Sequence, residues 1–391
     1  MTSTKFRITS IDLLRGAVML LMALDHARDF LHFDFFRGND PLDFATTSTP
    51  LFLTRWITHF CAPVFVFLAG ASIFFSGNKK SKSGLSLFLL TRGLWLMLLE
   101  VTIITFGWMF SMEFKLIFLQ VIWAIGLSMV CMSVFVFLPR KIVLLIGLLL
   151  VFGHNLLDSF HVEGNMVQGF LWSVLHETGK FRLYETHTIF VGYPLLPWLG
   201  LMMTGFAFGQ LYLKEVTAQQ RKRRLIIMGT SCIALFAALR SGNFYGDAWH
   251  WKEQNSAVFT ALSFIDCTKY PPSLLYLLMT IGPALLFLAF AENLKGKLVE
   301  AVSIIGRVPL FYYVVHLYVL HLIAGILFFA TGHSLAEINF AAEIPEAPEN
   351  FGLHLWQVYL VWLFAIGLLY FPCKWYNRYK STHSQWWLSY L

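Results

Sequence analysis

The chain has 391 residues, a formal net charge of +7, and 57% hydrophobic against only 13% charged residues, with a mean hydropathy of +0.65. Soluble domains carry about 25% charged residues, so a soluble globular class is excluded. The basic excess is of the kind membrane proteins gather in cytoplasmic loops, and it does not call for a nucleic-acid partner.

Apolar runs of the length that crosses a bilayer as a helix recur throughout. They predict an all-α, polytopic transmembrane bundle of about ten spans: 11–32, 51–76, 86–108, 116–138, 142–157, 191–213, 225–241, 271–291, 302–330 and 353–373. The N-terminus lacks a short apolar core with a small-residue cleavage site, so the first span is expected to be retained. The connections "GNKKSKSG", "PRK", "KEVTAQQRKRR", "ENLKGK" and the tail "KWYNRYK" are basic, and all fall on one side if the spans alternate. The positive-inside rule makes that side the cytoplasm, with both termini there and the long loops near 158–190 and 241–270 outside. A single integral-membrane domain over 1–391 is expected.

The first span, "IDLLRGAVMLLMALDHARDF", carries more charge than a bilayer tolerates without a reason. Arg15 and His26 are eleven positions apart, hence nearly on one helical face and roughly 16 Å apart along the axis. Asp29 follows His26 at i+3 on the same face, and Met19 and Met22 lie between the two polar ends. Such a stripe fits a long, thin substrate with an anionic head, and acyl-coenzyme A has that shape. His26 then reads as a general base, with Asp29 or Asp25 fixing its tautomer. The competing reading is a buried ion-pair network that holds helices together.

Further along, "RWITHFCAP" places Arg55 and His59 one turn apart, with His59 a second proton-transfer group or an interface histidine. Glu100 lies mid-helix two turns after Arg92; it either pairs with a basic group of another span or lines the acyl-donor path. "GNFYGDAWHWKEQN" holds Tyr245, Asp247 and Trp251, which suit a sugar and equally suit a membrane interface. Lys269 and Tyr270 precede the Pro271-Pro272 pair, Lys269 orienting an anionic group or snorkelling to water. In "GRVPLFYYVVHLYVLH", Arg307 suits nucleotide phosphates, and His316 lies deeper. His316 and His321 are five apart, about 140° around a helix, so they do not face one metal together. Cys61, Cys131, Cys232, Cys267 and Cys373 show no metal-ligand spacing and read as buried thiols. No metal site is expected.

"SIDLLRGAVMLLMALDH" resembles the opening of the heparan-α-glucosaminide N-acetyltransferase-like family of multi-pass membrane proteins. Its Arg-to-His spacing is also similar to that of the acyltransferase-3 family. "FCAPVFVFLAGAS", "GHNLLD", "YPLLPWLGLMMTG", "SGNFYGDAWHW", "TKYPPSLLYLLMTIGPALL" and "GRVPLFYYVVHLYVLH" extend the resemblance along nearly the whole chain. It implies transfer of an acyl group, acetyl above all, from cytoplasmic acetyl-CoA to an amine or hydroxyl of an extracytoplasmic sugar or glycan. In animal relatives the catalytic histidine lies in the first outer loop, which makes His32 the second candidate after His26. The expected site is thus His26, Asp29, Asp25, His32 and His59 for catalysis. Arg15, Arg92, Arg307, Glu100 and His316 are expected at the acetyl-CoA donor, and Arg55, Tyr245, Asp247, Trp251, Lys269 and Tyr270 at the acceptor. The expected location is a bacterial cytoplasmic (inner) membrane, with lipid as surroundings and small-residue faces that would allow a homodimer. A transporter or flippase for a glycan or lipid-linked intermediate is the alternative.

Overall fold

Helix α1 (Thr9–Leu31) opens the computed structural model, which describes residues 8–162 and 165–389. Asp12 in its first turn and Arg28 in its last complement the helix dipole. A short α2 (Phe33–Phe36) follows, then α3 (Thr49–Thr58) with Pro50 in its first turn, α4 (Cys61–Gly77) and α5 (Lys82–Leu99). After α5 the chain forms a π-helical turn, Glu100–Ile104, and a short α6 (Thr105–Met109). Strand β1 (Leu116–Leu119) leads into α7 (Val121–Phe135), α8 (Arg140–Gly153) and α9 (Met166–Leu175). Strands β2 (Gly179–Arg182) and β3 (Thr188–Val191) precede α10 (Leu195–Phe208) and α11 (Ala218–Gly242). The rest is helical: α12 (Ala257–Ile265), α13 (Leu274–Ala291), α14 (Lys297–Arg307), α15 (Pro309–Ala330) and α16 (Leu355–Thr382).

The all-α expectation needs one correction. A three-stranded sheet of order β1-β3-β2 joins the loops, with β1 parallel to β3 from Leu116↔Thr188 and β2 antiparallel to β3 from Gly179↔Val191. The run "LIFLQVIWAIG" reads as continuous helix because apolar periodicity does not separate a buried strand from a buried helix. The sheet matters to the site: Gly192 N–H donates to Leu119 O at 3.2 Å, which sets the segments carrying Gln120 and Tyr193 side by side.

Seven helical stretches among the described residues are long and apolar enough to cross a bilayer: Thr49–Gly77, Lys82–Met109, Arg140–Leu157, Ala218–Gly242, Leu274–Ala291, Pro309–Ala330 and Leu355–Thr382. Of the ten expected spans, three fall outside this set. Helix α1 carries too much charge, and α7 and α10 are short, at 15 and 14 residues. The expected span 302–330 is broken at Val308, because Pro309 has no N–H to give and starts a new helix at its first position.

Helix α1 lies inside the bundle. Its Ala27 and Leu31 meet Leu320, Ala324, Val358 and Ala365 of α15 and α16, while Val18, Met19 and Met22 belong to the main core with α4, α10 and α13. Several helix pairs meet backbone to backbone at glycines, α1 with α14 and α4 with α10 most closely. A Cβ on Gly16 would stand 2.0 Å from Val302 O of α14, and one on Gly306 would stand 1.9 Å from Asp12 O. A Cβ on Gly70 would stand 2.0 Å from Met202 O of α10, and one on Gly205 2.0 Å from Phe67 O of α4. Small residues at membrane helix interfaces permit this approach, and it fixes α1 where its polar face meets open space.

Candidate active site

Three cavities follow one another along α1. The first, of 330 Å³, lies beside its N-terminal half and is lined by Arg15, Ser72, Arg92 and Lys380 among apolar side chains such as Met19, Phe65, Ile122 and Met129. The second, of 150 Å³, is polar and holds Asp25, His26, Arg28, Asp29, Arg55, Gln120, Lys269 and Tyr270. The third, of 740 Å³, is largely apolar and reaches the loops near Phe340 and Pro345. Phe65 and Tyr313 belong to the walls of both the first and the second. Asp29, Phe35, Trp108, Gln120, Tyr193 and Tyr270 belong to both the second and the third.

His26 occupies the central cavity with its ring held on one side. Its Nδ1 lies 2.7 Å from Nε2 of His316 on α15, and the rings stack at 4.9 Å with 17° between planes. His316 Nδ1 is 3.0 Å from the carbonyl oxygen of Tyr312. A carbonyl only accepts, so His316 Nδ1 carries the proton and a neutral His316 offers the lone pair of Nε2. His26 must then donate from Nδ1, which leaves the lone pair of a neutral His26 on Nε2. The edge of Trp108 packs on the same ring at 4.7 Å between centroids. The expected orienting carboxylate is replaced by a histidine.

The carboxylates are engaged elsewhere. Asp25 accepts from Arg55 Nη1 at 2.6 Å and pairs with Arg28 Nη2 at 2.9 Å, and Asp29 also pairs with Arg28. Lys269 lies 5.1 Å above the ring of Tyr270. The central cavity therefore collects the carboxylates of Asp25 and Asp29 against the cations of Arg28, Arg55 and Lys269. At the other end of the helix, Arg15 donates to Gly306 O at 3.1 Å and Ser72 Oγ at 3.3 Å, and is 3.5 Å from Asp12.

Other expected site residues lie apart from the central cavity. His32 caps α2, accepting from Asp34 N–H at 3.3 Å. His59 is fully buried with both ring nitrogens unpartnered, edge-on to Tyr276. Glu100 accepts the N–H of Trp123 at 2.9 Å; it caps the start of α7 from the π turn, a favourable place for a carboxylate. Arg307 faces Asp12 at 3.5 Å.

Tyr245, Asp247 and Trp251 fasten the outer loop. Asp247 is buried and accepts from Trp249 N, Thr268 N, Thr268 Oγ1 and Ser273 Oγ. Trp251 donates to Arg240 O at 2.9 Å, and the Tyr245 hydroxyl donates to Phe152 O.

Arg28, Gln120, Tyr193 and Tyr313 also line the central cavity, although sequence reasoning assigned them no role. Arg28 carried a signal, as a third intramembrane charge within one turn of His26. Gln120 and Tyr193 carried none, because only the β1–β3 pairing brings them together.

Residues 7–241 match the family model described as heparan-alpha-glucosaminide N-acetyltransferase, catalytic. No curated protein matches the chain. The matched stretch runs from α1 through most of α11 and contains Asp25, His26, Arg28, Asp29 and Arg55. Lys269, Tyr270, Tyr313 and His316 lie beyond it.

Proposed function

The chain belongs to the heparan-alpha-glucosaminide N-acetyltransferase family, and from that premise we propose that it carries an acetyl group through the membrane, from cytoplasmic acetyl-CoA to an amine or hydroxyl of an extracytoplasmic sugar or glycan. The succession of three neighbouring cavities along α1, with wall residues in common, carries this reading. Eleven residues of unbroken helix, about 16 Å, separate Arg15 beside the first cavity from His26 in the second. The nucleotide phosphates meet Arg15, Arg92 and Lys380, the pantetheine arm runs past Met19 and between Phe65 and Tyr313, and the thioester reaches His26. The acceptor enters through the third cavity. Adding α1, α7 and α10 to the seven long apolar stretches restores ten spans, with both termini cytoplasmic and one integral-membrane domain over 1–391.

His26 Nε2 takes the proton from the acceptor as its nitrogen or oxygen attacks the thioester carbon. The C–S bond breaks, and coenzyme A leaves as the thiolate and takes the proton from His26 Nε2, which returns His26 to its neutral form. The proton on Nδ1 stays shared with His316. Three cations against two carboxylates leave one positive charge in the central cavity, placed to stabilise the oxyanion that forms on the thioester oxygen. A cavity of 150 Å³ accommodates an acetyl group beside His26.

The test is turnover by the purified full-length protein with acetyl-CoA and a panel of amino sugars and glycans, scored by CoA release and acetylated product. His26→Ala is expected to lower kcat by about 10²–10⁴-fold, the usual contribution of a general base. Equal product formation by His26→Ala, or passage of a glycan across the membrane with no CoA released, would overturn the reading.

A further inference from the structure

His154, Asp158 and His176 stand together at a second place, where α8 ends and α9 turns back. One ligand atom from each lies within 4.8 Å of the other two. His154 and His176 are each only 2% exposed. Neither ring nitrogen of His154 has a hydrogen-bond partner, and Nδ1 of His176 has none either. A buried imidazole with two idle nitrogens forfeits its hydration without return, so the position calls for something to bind.

The carboxylate is already oriented. Asp158 Oδ2 accepts from Asn155 Nδ2 at 2.8 Å, and Asn155 Oδ1 in turn accepts the N–H of Leu274 at 2.9 Å. Asp158 Oδ1 lies 3.1 Å from His176 Nε2. This pair is hydrogen-bonded in the free site, and an ion with tetrahedral bonds of about 2.0–2.1 Å, whose ligand atoms stand about 3.3 Å apart, would take the place of the shared proton with little movement. Beside the cluster is a cavity of 230 Å³ whose wall includes Asp158, His176, Glu177 and Ser273.

We propose that His154, Asp158 and His176 bind one divalent first-row transition ion of the zinc class, with water in the fourth position facing this cavity. Two imidazoles and a carboxylate suit such an ion and not magnesium or calcium, which take oxygen ligands. The Asn155 contact supplies the outer support that ligating side chains need. Sequence gave no warning, because His154 and Asp158 lie four apart in a turn and His176 comes eighteen residues later.

The ion acts on the active site through one segment. Thr268, Pro271 and Ser273 line the cavity beside the cluster, while Lys269 and Tyr270 line the central cavity. The ion stiffens the wall from which Lys269 and Tyr270 project.

Tag-free, full-length protein stripped with a chelator and titrated with Co²⁺ tests the proposal. One equivalent is expected, with the visible absorption of a tetrahedral site that stoichiometric Zn²⁺ abolishes. His154→Ala and Asp158→Asn are expected to weaken Co²⁺ binding at least about 100-fold and Asn155→Ala about 10–100-fold, while His333→Ala, at a histidine paired with Glu337, leaves it unchanged. If the wild-type chain takes up no Co²⁺, the site does not exist, whatever the folding of the variants. Undiminished binding by a folded His154→Ala or Asp158→Asn overturns it equally.

Discussion

At the scale of single residues, the tautomer of His26 follows from a chain of two hydrogen bonds that ends on the carbonyl of Tyr312. In the proposed mechanism His316 is a positioning residue: it touches His26 and does not line the central cavity. His316→Phe removes the lone pair that receives the Nδ1 proton, so the ring is free to turn and to exchange tautomers. The expected loss in kcat is on the order of 10²-fold, with KM for acetyl-CoA unchanged. His316→Gln, whose side-chain oxygen still accepts, restores part of it. Full activity in His316→Phe would show that the pair plays no part in orienting the base. Charge pattern made His26 legible in the sequence, since a histidine among aspartates and arginines inside an apolar run demands a reason. Its partner was not legible, because the two lie 290 residues apart and helical periodicity carries no information on which faces meet. Asp247 shows the reverse error. A carboxylate among aromatics resembles a sugar site, yet its oxygens are taken up by Thr268, Ser273 and Trp249.

At the scale of elements, the crossing of α1 and α14 decides where the proposed donor end of the site lies. Gly16 is next to Arg15, and Gly306 supplies the carbonyl that Arg15 binds. Gly16→Ala would force a methyl to 2.0 Å from Val302 O, so the helices must separate. The expected cost is about 1–3 kcal/mol, typical of overpacking a tight contact, read as a lower Tm of the purified protein. KM for acetyl-CoA is expected to rise with it as Arg15 is carried off Gly306. Gly325→Ala, where an added Cβ meets nothing within 4 Å, serves as the control and keeps the wild-type Tm. Most helices were legible from apolar runs and basic connections. The strands were not, because four residues such as "LIFL" fit either state. The break at Val308 was legible only in principle, since Pro309 lay inside a run read as one span.

At the scale of the whole molecule, the order of the cavities predicts that donor and acceptor approach from opposite ends and meet only at the centre. Ala69 lines the first cavity and Gly325 the third, and neither lines the second. Ala69→Trp places an indole in the donor path, while Gly325→Trp fills open space in the acceptor path. If the cavities serve separate substrates, the first substitution raises KM for acetyl-CoA at unchanged acceptor KM, and the second does the converse. A rise of about tenfold corresponds to the loss of about 1.4 kcal/mol of binding. A substitution that blocks only approach leaves kcat at saturating substrate close to wild type, because His26 and His316 are untouched. The two effects are expected to be additive in the double variant, since the sites share no side chain. If both variants raised the same KM, donor and acceptor would share one entrance and the trans-bilayer route would fail, even with His26 as the base. The experiment thus separates the proposed chemistry, assigned to His26 and His316, from the proposed path, which rests on how ten proposed spans leave space around one charged helix.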